Sequence, residues 1–221
     1  MLVLGHRGSG WHRGKLNENT MQSFEDSKKR GADGIETDIR ITKDDTLVLF
    51  HDKIVGKTKQ VKVNDLTYKQ LKSKVGYSVP TLDTLIDWAD DSFLLNLEIK
   101  DPLAVPKLIE TIKANKTKQY IVSSFWHNHV AKVSKATNVP SAIIMSLRPI
   151  LIEPFLQLLP VNADYIIWNN DYYIPEYALK YSRFKHLVYN AGNDDVKGAD
   201  GVISDNLNVH LISTVSDTSE K

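Results

Sequence analysis

The sequence contains no cysteine, which excludes disulfide staples, thiolate zinc sites, iron–sulfur clusters and a cysteine nucleophile together. A charge excess of either sign is missing too. The 28 basic residues face 27 acidic ones, for a formal net charge of +1, so the basic surplus expected of a nucleic-acid partner is absent. Long apolar runs are lacking as well. The richest stretch, 139–161, is broken by Arg148, Glu153 and four prolines. A bilayer-spanning helix needs roughly 18 or more uninterrupted apolar residues. The opening residues lack the pattern of a basic stretch followed by an apolar one that marks a leader. No Gly/Ser linker or low-complexity block divides the chain. These absences predict a soluble protein with no nucleic-acid partner and no stable membrane insertion, and the cysteine-free composition fits a cytoplasmic location. The 221 residues are expected to form one domain over 1–221, with a polar tail from about Ser213.

What recurs is a short apolar strand followed by an amphipathic stretch. Candidate strands are Leu2–Gly5, Gly34–Ile41, Leu94–Ile99, Tyr120–Ser124, Ala142–Met145, Tyr165–Trp168, His186–Tyr189 and Gly201–Ser204. Between the first two, Thr20–Arg30 puts Met21 and Phe24 on one side, and Gly31 ends the helix. Thr81 is a fitting N-cap for a helix over Leu82–Ala89. Eight strands alternating with helices predict an α/β fold, a parallel (β/α)8 TIM barrel. An open doubly wound sheet is the alternative, but the first strand–helix turn lacks the glycine-rich phosphate loop. Thr46–Phe50 is a further strand-like run, expected as a hairpin extension in a short insertion after the second strand.

Strands buried on both faces should be apolar throughout, so their ionisable residues need a reason. Glu36 and Asp38 are two apart and share one face of the second strand, opposite Ile35, Thr37 and Ile39. Asn96, Glu98 and Lys100 repeat the device on the third strand. In a barrel both sets point inward near the C-terminal rim. Three converging carboxylates repel strongly unless paired or bridged by a cation, and an all-oxygen ligand set suits Mg²⁺ or Ca²⁺ better than zinc. A plain salt-bridge cluster with Lys100, Arg7 or Arg40 is the competing reading, though one lysine cannot neutralise three acids. His6 follows the first strand and His51 follows Leu49-Phe50. Imidazoles titrate near pH 6.5 and suit general acid and base work. Arg7 offers a planar fork for phosphate and Lys100 a point charge.

The segments Gly5-His6-Arg7-Gly8, Glu18-Asn19-Thr20, Gly31 to Asp38 and His51-Asp52 strongly resemble the glycerophosphodiester phosphodiesterases. The likeness continues through Val79-Pro80-Thr81-Leu82, Glu98-Ile99-Lys100, Ser124-Phe125 and Gly198 to Asp205, in order along nearly the whole chain. The resemblance implies a (β/α)8 barrel that hydrolyses a small-molecule glycerophosphodiester to glycerol 3-phosphate and an alcohol. It implies metal ligands Glu36, Asp38 and Glu98 for a divalent cation, and His6 and His51 as the acid/base pair. Arg7 and Lys100 would grip the phosphate, and Glu18 would support the site from the first loop. Of the two histidines, His51 is expected to be the acid and His6, beside Arg7, the base. The chain departs from the family pattern at Asn17, usually proline, in the short lysine-rich stretch after Asp52, and at Leu187-Val188-Tyr189-Asn190. These positions bear on the substrate-side walls. Related readings are phospholipase D-like action on lysophospholipid or sphingolipid headgroups, and a barrel that binds phosphodiester or metal without turnover.

Other polar and aromatic residues carry weaker expectations. Asn190 ends the seventh strand and is a candidate substrate contact. Trp126, Trp168 and Tyr189 are candidates for an apolar wall, with ordinary packing an equal alternative at each. His127 and His129 are more naturally read as helix-start residues than as metal ligands. Trp11 and His12 read as a surface loop, and His186 and His210 as structural or solvated. Lys57, Lys59 and Lys62 form a basic run that could meet anionic headgroups, though such charge runs are usually just solvated.

Overall fold

A computed structural model describes residues 1–9, 17–56, 58–145, 156–157, 162–192 and 196–208. Trp11, His12, Lys57, His210, most of the 139–161 stretch and the polar tail therefore lie outside the described residues. The eight expected strands are all present: β1 (Leu2–Gly5), β2 (Gly34–Ile41), β6 (Leu94–Ile99), β7 (Tyr120–Ser124), β8 (Ser141–Met145), β9 (Tyr165–Asn169), β10 (Lys185–Tyr189) and β11 (Gly201–Ser204). They pair in parallel around a ring that closes where β1 meets both β11 and β2. The fold is a (β/α)8 barrel.

Local chemistry explains the elements between. Helix α1 (Met21–Arg30) opens on Thr20, whose hydroxyl accepts from the Ser23 N–H while the Ser23 hydroxyl accepts from the Thr20 N–H. It ends on Gly31 at φ 93°, after three basic residues in its last turn. Thr81 caps α3 (Leu82–Trp88) as expected, with Ala89 just past its end. Helices α4 (Val105–Ala114), α5 (His127–Thr137) and α6 (Pro175–Lys180) cover other faces of the ring, while α2 (Tyr68–Val75) packs Leu71 against Val48, Val55 and Val63 of the insertion.

The insertion after β2 is the hairpin that the sequence predicts. Strand β2 outruns β1: its first two residues pair with β1, whereas Ile39, Arg40 and Ile41 pair antiparallel with β3 (Leu47–Leu49). A two-stranded ribbon, β4 (Ile54–Val55) with β5 (Val61–Lys62), follows; its strands are too short to leave a readable alternation in the sequence.

Two apolar layers hold the barrel. Outward residues such as Ile35, Ile39, Leu95 and Leu97 pack under the helices with Phe24, Leu82 and Leu108. Inward residues Leu4, Ile121, Ala142, Ile144, Ile167 and Ile203 fill the interior. Glu36, Asp38, Glu98 and Lys100 stand above this inner plug, toward the carboxyl ends of the strands.

Candidate active site

The parallel register of β2 and β6 places Glu36 beside Asn96 and Asp38 beside Glu98. With period-two alternation all four side chains enter the barrel, and ligand oxygens from Glu36, Asp38 and Glu98 lie within 4.8 Å of one another. This is the one such acidic or histidine cluster among the described residues. His127 and His129 are not part of it; the His127 ring meets the Ile144 carbonyl oxygen at 3.3 Å.

Two cations offset the three acids. Lys100 Nζ stands 2.5 Å from Glu98 Oε1 and 3.4 Å from Asp38 Oδ1, and Arg7 Nε stands 3.2 Å from Asp38 Oδ2. Burial pushes the Glu36 carboxyl up, the Asp38 charge adds to this, and it reaches about 8. Burial acts on Asp38 in the same sense, but Lys100 and Arg7 outweigh it and hold that carboxyl below its usual range. Burial also raises Glu98 despite Lys100. Glu36 accepts through Oε2 alone; its Oε1 is buried and receives no hydrogen bond. An all-oxygen cluster with an unsatisfied buried carboxylate oxygen fits a divalent cation, with Glu36, Asp38 and Glu98 as its ligands.

The motifs become geometry here. Arg7 adopts φ 51° and Gly8 φ 91°, and a Cβ on Gly8 would lie 2.7 Å from the Ser23 Cβ, so this tight turn accepts only glycine. The turn directs the Arg7 N–H to Glu36 Oε2 at 3.1 Å. Glu18 takes both its oxygens to Arg7 Nη1 at 2.8 Å and does not line the cavity; it holds the arginine from behind. Asn19 donates to Asp38 Oδ2 at 2.7 Å while its carbonyl accepts from the Thr37 hydroxyl and the Asp38 N–H.

Both histidines carry a carboxylate on Nδ1: Asp205 at 2.7 Å from His6, and Asp52 at 2.9 Å from His51. Each ring is thereby oriented with Nε2 free for other work, and His6 Nε2 lies 3.8 Å from Glu36 Oε2. Burial would lower the His6 pKa, but the Asp205 hydrogen bond and the Glu36 charge outweigh it and raise it. Arg40 turns away from the carboxylates. Its guanidinium donates to the His51 carbonyl at 2.6 and 2.8 Å and to the Lys100 carbonyl at 3.1 Å, tying the His51 loop to β6.

A cavity of about 210 Å³ joins these groups. His6, Arg7, Glu36, His51, Glu98 and Lys100 form its charged side, and Phe125, Ile144, Ile167, Tyr189 and Ile203 its apolar side, with Asn190 at φ 58° between them. Tyr189 is thus on the wall as expected, whereas Trp168 is not. Trp168 is wholly buried in the outer shell, donating to His186 Nδ1 at 3.0 Å and packed on Tyr177, because its register position points outward. Trp126 lies outside the cavity, half-exposed. A larger hollow of about 430 Å³ at the amino end of the barrel holds no acid or histidine.

Asp205, Asp52, Asn19 and Arg40 were not singled out from the sequence as site residues, although the first three fall within the motifs quoted above. The roles of Asn19 and Asp205 depend on contacts across 18 or 19 positions of chain for the first and 199 for the second, which no local spacing reveals.

Residues 6–149 match the model of the "Glycerophosphoryl diester phosphodiesterase family". A glycerophosphodiester phosphodiesterase of Caldanaerobacter subterraneus is 35% identical over 182 residues, which span 73% of this chain and 73% of that protein. One from Bacillus altitudinis is 32% identical over 153 residues, spanning 60% of this chain and 61% of its own length. The sequence matches thus cover roughly two thirds of these relatives. In structure, an Oleispira antarctica phosphodiesterase in complex with the product sn-glycerol-3-phosphate superposes with a TM-score of 0.82 at 20% identity, covering 97% of each chain.

Proposed function

Because this chain belongs to the glycerophosphoryl diester phosphodiesterase family, we propose that it hydrolyses a glycerophosphodiester to glycerol 3-phosphate and an alcohol. The observation that carries the reading is the convergence of Glu36, Asp38 and Glu98 beside two histidines in one cavity. A divalent cation, Mg²⁺ or Ca²⁺, held by the three carboxylates would supply Lewis-acid polarisation of the phosphoryl oxygens.

The chain's own residues do the rest. Arg7 and Lys100 hold the phosphodiester oxygens, and their charge offsets what builds up on the pentacoordinate phosphorus. Glu18 keeps the Arg7 fork oriented. One imidazole takes the proton of the attacking hydroxyl as the new P–O bond forms; attack by water gives glycerol 3-phosphate at once, whereas attack by the neighbouring glycerol hydroxyl gives a cyclic phosphate that water then opens. The other donates a proton to the departing alkoxide as the old bond breaks. Asp205 and Asp52 fix the two ring tautomers. The apolar wall and Asn190 receive the organic part of the substrate. A barrel that merely binds phosphodiester has no use for two carboxylate-backed imidazoles.

Incubation with glycerophosphocholine and Mg²⁺ or Ca²⁺ should release glycerol 3-phosphate and choline in equal amounts. Tight binding of the diester with no product would replace the hydrolase by a binding barrel.

A further inference from the structure

We propose that the catalytic rim docks on an anionic lipid bilayer and so presents the cavity mouth to phosphodiesters carried in that surface. The choice of substrate rests on the hydrolase reading; the docking rests on other residues.

Six large apolar side chains are exposed among the described residues: Met1, Ile54, Leu103, Phe125, Trp126 and Leu179. Four of them line the cavity or follow a cavity-lining residue by no more than three positions. Phe125 lines the cavity and Trp126 follows it, while Leu103 comes three residues after Lys100 and Ile54 three after His51, both on the cavity wall. Leu103 is 63% exposed and Trp126 48%. Binding a small polar diester gives no reason to hold Leu103, Trp126 or Ile54 in water, and clustered exposed apolar groups mark an interaction surface.

The segments that carry Ile54 and Leu103 are tied together. Arg40 bridges the His51 and Lys100 carbonyls. Asn64, just past β5, donates to Asp101 at 3.3 Å, and Asp101 accepts from the Leu103 N–H at 3.0 Å. The surface is therefore held in place by ordinary structure.

Charge selects the partner. From Asp52 to Lys62 the sequence has four lysines against one aspartate, and Lys53, Lys59 and Lys62 are exposed. Ile54 sits directly opposite Lys62 in the ribbon. Apolar tips flanked by lysines suit a negatively charged bilayer: aliphatic groups and tryptophan enter the headgroup boundary, and ammonium groups meet anionic lipids. A second copy pairing through the same face would set lysines against lysines. No described helix is long and apolar enough to cross a membrane, so the contact is peripheral.

The test is co-sedimentation of the full chain with vesicles of phosphatidylcholine mixed with phosphatidylglycerol, and with phosphatidylcholine alone. Wild type should bind the mixed vesicles and be released by salt. Leu103→Ser and Trp126→Ser should each weaken binding roughly tenfold. Lys59→Gln and Lys62→Gln should each weaken it about fivefold. Leu179→Ser, on α6, should bind like wild type, and Leu103→Ser should still hydrolyse water-soluble glycerophosphocholine normally. No binding to the mixed vesicles, or equal binding by wild type and the rim variants, overturns the proposal. So does a dimer that the rim variants dissolve in the absence of vesicle binding, which would assign the face to a second copy. Vesicle binding without glycerophosphocholine turnover would instead overturn the hydrolase reading and leave the docking intact.

Discussion

Asp38 and Glu98 face each other as register partners on adjacent parallel strands, and Lys100 Nζ reaches both carboxylates. Two acids held side by side in a barrel interior, with Glu36 one turn of the pleat below, concentrate negative charge that one lysine and one shared arginine only partly offset. Burial, reinforced by the Asp38 charge, raises the Glu36 carboxyl to about 8.

Stability of the chelated protein should therefore fall as pH rises. Glu36 binds its proton more tightly folded than unfolded, so its contribution is full below the ordinary carboxyl range and is lost as pH climbs to about 8. Melting curves from pH 5 to 9 should show the decline, and Mg²⁺ or Ca²⁺ should flatten it. An unchanged slope in Glu36→Gln would assign the decline to other groups.

Lys100→Met should cost turnover far more than stability. The ammonium is mostly buried between Asp38 and Glu98 and 5.4 Å from the Phe125 ring, where apolar replacement can be neutral for folding. Divalent-ion affinity should rise, because a competing cation leaves the ligand shell. Titration calorimetry and melting curves check both points; parallel losses of stability and activity would mark the lysine as structural.

Arg40→Met should unseat the His51 loop. Three donors to two carbonyls vanish, and hydrogen bonds from a charged group are worth about 1.5–3 kcal/mol each where they are buried. Turnover should drop more than metal affinity, since Arg40 touches none of the three ligands directly. Loss of metal binding comparable to the loss of turnover would mean that Arg40 acts through the carboxylates instead.

The succession of strands and the sharing of one face by Glu36 and Asp38, and by Asn96 and Glu98, were legible from alternation, since strand period fixes which side chains lie together; that this face turns inward followed from the barrel. The capping of α1 by Thr20 and of α3 by Thr81 was equally local. The ribbon at Ile54 was not, being too short for a pattern, and neither were Asp205 on His6 or Asn19 on Asp38. Trp168 takes the packing alternative rather than the wall, because an aromatic at a strand end faces in or out according to register, which closure of the whole ring decides.

The two histidines should separate by leaving group. Glycerol and choline leave as strongly basic alkoxides that need a proton, whereas p-nitrophenolate, with a conjugate acid of pKa about 7, barely does. The variant lacking the acid should lose roughly 10²–10⁴-fold on alkyl diesters and much less on the aryl diester, and the variant lacking the base should lose on both. Comparing His6→Ala with His51→Ala assigns the roles, with His51 the expected acid. Equal losses on both substrates in both variants would remove the acid/base pair from the account.

The measurement that bears most directly on the account is glycerophosphocholine turnover in excess chelator, alongside the metal content of the same sample. A site built on Glu36, Asp38 and Glu98 predicts that activity disappears with the metal, returns on adding Mg²⁺ or Ca²⁺, and fails to return in Asp38→Asn or Glu98→Gln. Full activity in a protein that retains no metal would contradict it.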